Sequence, residues 1–209
     1  HQRGLPAVGV PASIDNDIWG TNMAIGVDTA LNTIVEALDK LRDTASSHKR
    51  AFLVETMGRR SGYLALMSGV IGGAEMILIP EVDTSLEEVV DTIAQAYARG
   101  KTHAIIMVAE GAKHNAAQVA QYLTEHAPNM QTRVTILGHI QRGGQPTAFD
   151  RLLAARFGVR AVEALINREY GTMTALDGRE IALVPLEEVT SKQREANLEY
   201  YKMAKMLAK

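Results

Sequence analysis

The 209-residue chain is long enough to bury a substantial core, in one domain or in two small ones. Its formal net charge of -2 gives no reason to expect nucleic acid or an acidic membrane surface as a partner, and no apolar run approaches the roughly 18 residues of a membrane span. The absence of cysteine excludes disulfides and thiolate metal sites, which suits the cytoplasm. The chain has no signal-peptide pattern and begins without Met. Two interpretations of that start are a piece of a longer protein and a natural short chain.

A loop with two carboxylates follows the first predicted strand. The apolar residues 7–10 predict a buried strand, and Pro11 ends it because proline offers no N–H to a ladder. In the next loop, at residues 13–17, Asp15 and Asp17 point to the same side if the segment stays extended. Such a pair suits proton abstraction or a metal-bound phosphate. The alternative is an Asp- and Asn-rich turn that caps the next helix.

The rest of the chain alternates amphipathic helices with short apolar runs. Apolar residues at three- and four-residue spacing predict helices, and near-continuous apolar runs predict buried strands. The predicted helices cover about 27–41, 63–72, 86–97, 119–123, 147–167 and 198–207. The predicted strands cover 51–54, 76–79, 104–108, 134–137, a piece near 173, and 181–184. This order is typical of an α/β fold with a largely parallel sheet.

Polar side chains recur where predicted strands end. Because ligands bind outside the carboxyl ends of strands in such folds, these side chains predict a cleft. The residues are Asp15, Arg59, Glu110, His139 and Arg142.

The residue types in this predicted cleft suit phosphate chemistry. Arginine forks match phosphate oxygens, and Arg50, Arg59, Arg133 and Arg142 are available, although a lone arginine is usually a solvated surface charge. Asp15 suits proton abstraction from a hydroxyl, and Glu110 suits accepting hydrogen bonds. His139 suits phosphate or sugar binding, or is simply a satisfied polar residue. A base with several arginines favours phosphoryl transfer onto a hydroxyl.

Several longer motifs make the chain recognisable. They lie at 13–17, 47–50, 57–59, 72–75, 137–144 and 150–151. With these motifs in this order, the chain resembles bacterial-type phosphofructokinases from about Pro6 to Pro185, as roughly the C-terminal two-thirds of the usual chain. The resemblance implies a three-layer α/β/α fold and the glycolytic transfer of the ATP γ-phosphoryl to the 1-hydroxyl of fructose 6-phosphate, with Mg²⁺. Alternatives are a pyrophosphate-dependent phosphofructokinase and a non-catalytic sugar-phosphate-binding homologue.

The resemblance also implies roles for single residues. Asp15 is the expected base, Ser13 keeps a hydroxyl near the transferred phosphoryl group, and Arg59 stabilises its charge. Asp17 is expected near the metal and the phosphates. Arg50 and Arg133 are expected to reach a neighbouring subunit's sugar-phosphate site, which implies a homotetramer. The full set of implied substrate contacts is Ser13, Ile14, Asp15, Arg50, Met57, Gly58, Arg59, Glu110, Arg133, His139, Ile140, Gln141 and Arg142.

Three further expectations follow from the resemblance. Ala12 stands where pyrophosphate users commonly have Lys, which favours ATP as the donor. An effector site for ADP or phosphoenolpyruvate is expected, although basic residues at helix ends also suit the helix dipole. The expected effector residues are Arg42, Gly73, Glu75, Arg99, Lys101 and His103.

The expected domains are discontinuous. The remainder of a nucleotide-side α/β domain is expected at 1–26 and 141–190, a sugar-phosphate domain at 27–140 and a C-terminal helix at 191–209. The family's glycine-rich nucleotide loop and main metal-binding Asp have no counterpart here, so no metal ligand is assigned and we expect the 209 residues alone to be inactive.

Overall fold

The computed structural model describes residues 4–45 and 50–208. Residues 47–49 of the motif at 47–50 lie outside the described residues. Every predicted helix and strand has a counterpart, with bounds that shift by a few residues. The elements are β1 (Val8–Gly9), α1 (Val27–Ala45), β2 (Arg50–Thr56), α2 (Tyr63–Ile71), β3 (Met76–Leu78), α3 (Leu86–Ala98), β4 (His103–Ala109), α4 (Ala116–His126), β5 (Gln131–Ile136), a 3₁₀ turn (Gly138–Arg142), α5 (Ala148–Ile166), β6 (Thr172–Asp177), β7 (Glu180–Pro185), α6 (Leu186–Ser191) and α7 (Leu198–Leu207).

The larger sheet is parallel and covered by helices on both faces. Its strands lie in the order β3-β4-β2-β5. Successive side chains of a strand point to opposite faces. In β4, Ile105 and Met107 therefore pack with α1, α2 and α7, whereas Ile106 and Val108 pack with α3 and α4. Each such buried aliphatic side chain contributes about 1.5–3 kcal/mol. These layers confirm the predicted α/β/α architecture.

The smaller sheet has the order β1-β6-β7. Strand β1 pairs parallel with β6, and β6 and β7 form an antiparallel hairpin. On α5, Leu153 and Phe157 pack against Leu176 of β6. The division of the chain into the domains expected above remains a prediction.

Two strand predictions need correction. The run at 7–10 was expected to be a buried strand, but β1 has only two residues, both half-buried, and Val10 is 43% exposed. Strand β5 begins three residues earlier than predicted, and Ile136 is 62% exposed. Both strands lie at a sheet edge, with a described neighbour on one side only.

In the described ranges, no helix is long and apolar enough to cross a membrane.

A buried carboxylate ties the beginning of α5 to the beginning of α1. Asp150 is 1% exposed. Its Oδ1 accepts from the Gly26 amide at 2.9 Å, and its Oδ2 accepts from the Thr29 amide at 2.8 Å and the Thr29 hydroxyl at 2.5 Å. The negative charge therefore satisfies amides that the first turn of α1 leaves without helical partners.

An Asp150→Ala protein should lose about 3 kcal/mol of unfolding free energy, because charge-assisted bonds disappear and buried donors remain unpaired. Urea unfolding measures the loss. The matched control is Asp83→Ala, since Asp83 pairs with Lys113 at 2.8 Å on the surface, and exposed ion pairs contribute little. Equal losses in the two variants would contradict this role of Asp150.

Candidate active site

The acidic loop is a tightly held turn after β1. Asn16 adopts a left-handed conformation, with φ 51°, which Asn tolerates better than most residues. Its buried side chain accepts from the Ala24 amide at 3.1 Å and donates to the Asn22 carbonyl at 3.3 Å. The Ser13 hydroxyl accepts from the Asp15 amide at 3.3 Å. These bonds hold the carboxylate of Asp15, which is 6% exposed, in one place.

A second turn follows β2 and carries Arg59. Gly58 and Arg59 both have positive φ, 142° and 51°. One oxygen of Glu110, Oε1, accepts from the amides of Gly58 at 3.2 Å and Arg59 at 2.8 Å. The side-chain carbonyl of Gln141 accepts from the Met57 amide at 3.2 Å. The ends of β2 and β4 and the 3₁₀ turn therefore fix the Arg59 backbone together.

The two turns face each other and form an ion pair. Arg59 Nε lies 3.6 Å from Asp15 Oδ2, and the Arg59 side chain is 73% exposed. Burial raises the pKa of the Asp15 carboxyl, as do the charges of Asp17 and Glu110; Arg59 and Arg142 oppose this rise. The result is a carboxylate that accepts a proton more readily than an ordinary exposed Asp, beside an exposed guanidinium.

An open cleft of about 360 Å³ surrounds this pair. Of the predicted substrate residues, Ser13, Ile14, Asp15, Arg59 and Arg142 line it, together with Ala12. Four more brace the Arg59 turn or belong to it: Met57, Gly58, Glu110 and Gln141. His139 and Ile140 are exposed on the 3₁₀ turn, outside the lining. The predicted contacts are thus mostly brought together, while their roles stay predictions.

Two of the four predicted arginines, those that the resemblance assigns to a neighbouring subunit's site, do not line this cleft. Arg50 begins β2, whereas the cleft lies beyond the end of that strand. Its Nε donates to Gln131 Oε1 at 3.3 Å. Arg133 lies in the edge strand β5, where it donates to the Thr132 carbonyl at 3.0 Å. A seven-residue strand spans roughly 20 Å, which separates Arg50 from the end of β2 that leads to Arg59, and Arg133 pairs with Phe52, part-way along that strand. Their service to a neighbouring subunit remains a prediction.

Four of the six expected effector residues form two groups near β3. Arg42 donates to the Gly72 carbonyl, next to Gly73. Lys101 Nζ lies 3.1 Å from the buried carboxylate of Glu75.

The last two expected effector residues lie near the end of α3 and the start of β4. Arg99 donates to the Ala208 carbonyl at 3.0 Å, and His103 Nδ1 lies 3.4 Å from the Thr102 hydroxyl. Arg99 and Glu75 line a small cavity of about 160 Å³ beside α7. An effector role for this set stays a prediction.

Residues that shape the site without a predicted role include Asn16 and Gly111. A Cβ on Gly111 would lie 1.8 Å from the Arg59 carbonyl oxygen, so the strand end can approach the turn only as glycine. The sequence shows a glycine soon after a predicted strand and an Asn between two acids, and both patterns indicate special backbone positions. Neither pattern indicates which distant residue, Arg59 or Asn22, makes the contact.

The described residues do not form a complete metal site of their own. Within residues 4–45 and 50–208, no group of three or more His, Cys, Asp or Glu residues is arranged to hold a metal ion. Asp15 and Asp17 are the carboxylates of the acidic loop, and Asp17 Oδ2 accepts from Gln193 at 3.4 Å. One or two carboxylates suffice for Mg²⁺ only when substrate phosphates and water supply its other ligands.

Comparison with known proteins identifies the family. The family model described as "Phosphofructokinase" matches residues 1–165. The chain is 52% identical over 208 residues to the "ATP-dependent 6-phosphofructokinase" of Thermotoga neapolitana, covering 100% of this chain and 65% of the relative. For the Listeria monocytogenes protein of that name, identity is 46% over 210 residues, covering 99% and 64%.

Solved structures agree with this similarity. Phosphofructokinase from Saccharomyces cerevisiae superimposes with a TM-score of 0.84 at 34% identity, over 97% of this chain and 27% of that chain. The pyrophosphate-dependent phosphofructokinase from Marinobacter aquaeolei shares the fold, with a TM-score of 0.79 at 20% identity, over 94% and 55%. The fold, the match to the family model and the relatives lead to one conclusion: the chain belongs to the phosphofructokinase family.

Proposed function

We propose that the protein is an ATP-dependent 6-phosphofructokinase, which converts fructose 6-phosphate and ATP to fructose 1,6-bisphosphate and ADP. The observation that carries the proposal is the pair of Asp15 and Arg59, 3.6 Å apart in an open cleft. The similarity to relatives that are named for this reaction supports the choice of substrates. The chain spans 65% of the length of the Thermotoga relative, so the activity is proposed for the native polypeptide that carries this sequence.

Asp15 is the proposed general base. Its carboxylate accepts the proton of the sugar 1-hydroxyl as the oxygen attacks the γ-phosphorus of ATP, and ADP leaves. A carboxylate with a raised pKa holds that proton better than an ordinary Asp does. Arg59 is then adjacent to the phosphoryl group in transfer, where its fixed charge stabilises the negative charge of the transition state.

The sugar phosphate and the transferred phosphoryl group are the proposed ligands of further residues in and beside the cleft. Glu110 Oε1 accepts hydrogen bonds from the amides of the Arg59 turn. Its other oxygen, Oε2, is therefore the one proposed to accept hydrogen bonds from sugar hydroxyls. Arg142 lines the cleft and is proposed to bind the 6-phosphate through its guanidinium fork, with His139 beside it. Ser13 would donate its hydroxyl to the transferred phosphoryl group.

Magnesium is the proposed cofactor, carried by the phosphates of ATP. Bound Mg²⁺ neutralises the charge of the transferred phosphoryl group. Within the described chain, Asp17 is the residue proposed to face the metal, directly or through water. We also propose a cytoplasmic homotetramer in which Arg50 and Arg133 bind the sugar phosphate of a neighbouring subunit. Two points support this proposal: the similarity to the family, and the position of both arginines outside the cleft of their own chain.

The identity of residue 12 gives the test of the proposed donor. Ala12 lines the cleft and is exposed, so a nucleotide larger than pyrophosphate meets neither charge nor bulk there. The native polypeptide should therefore favour ATP over pyrophosphate, by at least about 100-fold in kcat/KM. Ala12→Lys should lower kcat/KM for ATP, because a fixed ammonium and four methylenes enter the cleft.

Parallel coupled assays with Mg²⁺ and either donor measure both values. Ala12→Met is the matched control, since it adds length without charge. A faster wild-type reaction with pyrophosphate would overturn ATP as the donor, and no sugar bisphosphate with either donor would overturn the proposed function.

A further inference from the structure

A short segment after α6 runs along the back of the acidic loop. We call residues 193–196 the strap. Gln193 forms an isolated antiparallel bridge with Ile18. The Arg194 amide donates to the Asp17 carbonyl at 2.9 Å, and the Gln193 side chain donates to the Asp17 carboxylate at 3.4 Å. The strap thus pairs with residues 17 and 18, which follow the proposed base Asp15 by two and three positions.

The Arg194 side chain reaches further into the same loop. It is half-buried, and its Nη1 donates to the Asn22 carbonyl at 2.6 Å. The side-chain amide of Asn16 donates to that same carbonyl at 3.3 Å. Arg194 and Asn16 therefore hold one shared acceptor, and Asn16 is the left-handed residue that follows Asp15. A shift of Arg194 acts on the turn that presents the base.

The strap also contacts the other side of the proposed site. The Arg194 guanidinium carbon lies 5.7 Å from the ring centroid of Tyr63, the first residue of α2. The Ala196 amide donates to Glu81 Oε1 at 3.2 Å, and the same carboxylate accepts from the Gly62 amide at 2.9 and 3.1 Å. Gly62 and Tyr63 continue the chain directly from the Arg59 turn. The strap thus bonds directly to the acidic loop and contacts, through Glu81 and the Tyr63 ring, the residues that follow the Arg59 turn.

We propose that Arg194 is a positioning residue, which holds the acidic loop against the Arg59 turn and thereby maintains the separation of Asp15 and Arg59. Arg194 touches neither substrate nor the reacting atoms in this arrangement. A misplacement of about 1 Å costs up to about 100-fold in rate when catalysis depends on alignment. The inference rests on the proposed phosphoryl transfer for its effect on turnover, and on geometry alone for its effect on the two turns.

The test compares Arg194→Met, which removes the charge and the donors, with Arg194→Lys, which keeps a charge. Lys192→Met is the matched control: Lys192 also lies over an aromatic ring, 4.9 Å from the Trp19 centroid, but its hydrogen bond goes to Glu188 of α6. In the native polypeptide, Arg194→Met should lower kcat about 10- to 100-fold and change KM for fructose 6-phosphate less than about threefold. Arg194→Lys should recover part of kcat, and Lys192→Met should match wild type.

Amide hydrogen exchange supplies a readout that needs no turnover. In Arg194→Met, exchange should quicken at residues 13–22 and 58–63, with the amides of β4 unchanged. Faster exchange in both segments supports the positioning role of Arg194, whether or not the wild-type protein makes sugar bisphosphate. If the wild-type protein makes none, the proposed function is overturned and the positioning role is not. Unchanged exchange in these segments, or a lower melting temperature with wild-type kcat, overturns the positioning role. If Arg194→Met does not fold, Arg194→Lys takes its place in the test. A wild-type kcat together with unchanged exchange in Arg194→Lys then overturns the positioning role.

Discussion

An Asp15→Asn protein should turn over about 10²- to 10⁴-fold more slowly than wild type, with little change in its affinity for fructose 6-phosphate. The amide keeps the shape of the buried side chain but cannot take the proton of the attacking hydroxyl. Steady-state kinetics of the native polypeptide at saturating ATP measure the loss. Asp91→Asn, on the exposed surface of α3, is the matched control and should keep wild-type turnover.

The pH dependence of kcat in the wild-type and Asp15→Asn proteins gives a second readout. The base must be ionised, so wild-type turnover should fall as pH drops through the pKa of Asp15. Burial and Asp17 raise that pKa, with Glu110 adding to the rise and with Arg59 and Arg142 opposing it. The acid limb should therefore lie at higher pH than an ordinary Asp would give, and Asp15→Asn should lack it. A loss of turnover below tenfold would remove Asp15 from the role of base.

A Gly111→Ala protein should lose most of its activity through the backbone of Arg59. The new Cβ would lie 1.8 Å from the Arg59 carbonyl oxygen and 3.0 Å from its carbonyl carbon, so the turn must move. We expect kcat to fall by at least about 100-fold, because Arg59 no longer faces Asp15, and the free energy of unfolding to fall by about 1–3 kcal/mol.

Kinetics and urea unfolding of Gly111→Ala test this expectation against a glycine in open surroundings. Gly158 of α5 has no atom within 4 Å of an added Cβ, and Ala favours helix by up to about 1 kcal/mol over Gly. Gly158→Ala should therefore be neutral or stabilising and fully active. Wild-type turnover in Gly111→Ala would show that the Arg59 turn does not need its observed position.

The parts of the fold that local pattern determines could be predicted from the sequence. The spacing of Val27, Ile34 and Leu38 predicts α1, and those residues are fully buried. The apolar runs of β2 and β4 predict central strands, because both faces of such a strand are covered. Burial at the sheet edges could not be predicted, since an apolar run does not reveal whether a second strand lies beside it; Val10 and Ile136 are the examples.

The candidate site divides in the same way. Arg59 after β2 and Glu110 after β4 could be predicted to meet, because these two parallel strands pair and end at the same edge of one sheet. Asp15 follows β1 of the other sheet, so its approach to Arg59 could not be predicted in this way. Arg50 stands at the start of its strand rather than beyond its end, so this rule does not place it in the cleft, and its service to a neighbouring subunit stays a prediction. Arg194 carries no local signal, because its contact with Asn22 spans 172 positions of the sequence. Long-range braces of this kind depend on the complete packing of the chain.

The most direct test of phosphoryl transfer at the Asp15 and Arg59 pair is ³¹P NMR of the reaction itself. The native polypeptide is incubated with fructose 6-phosphate, ATP and Mg²⁺, in parallel with its Asp15→Asn variant. For wild type, a second sugar-phosphate signal should grow in equal amount with ADP while the 6-phosphate is retained, and the variant should form almost none in the same time. ADP and inorganic phosphate without a sugar bisphosphate, or equal product from both proteins, would contradict the account.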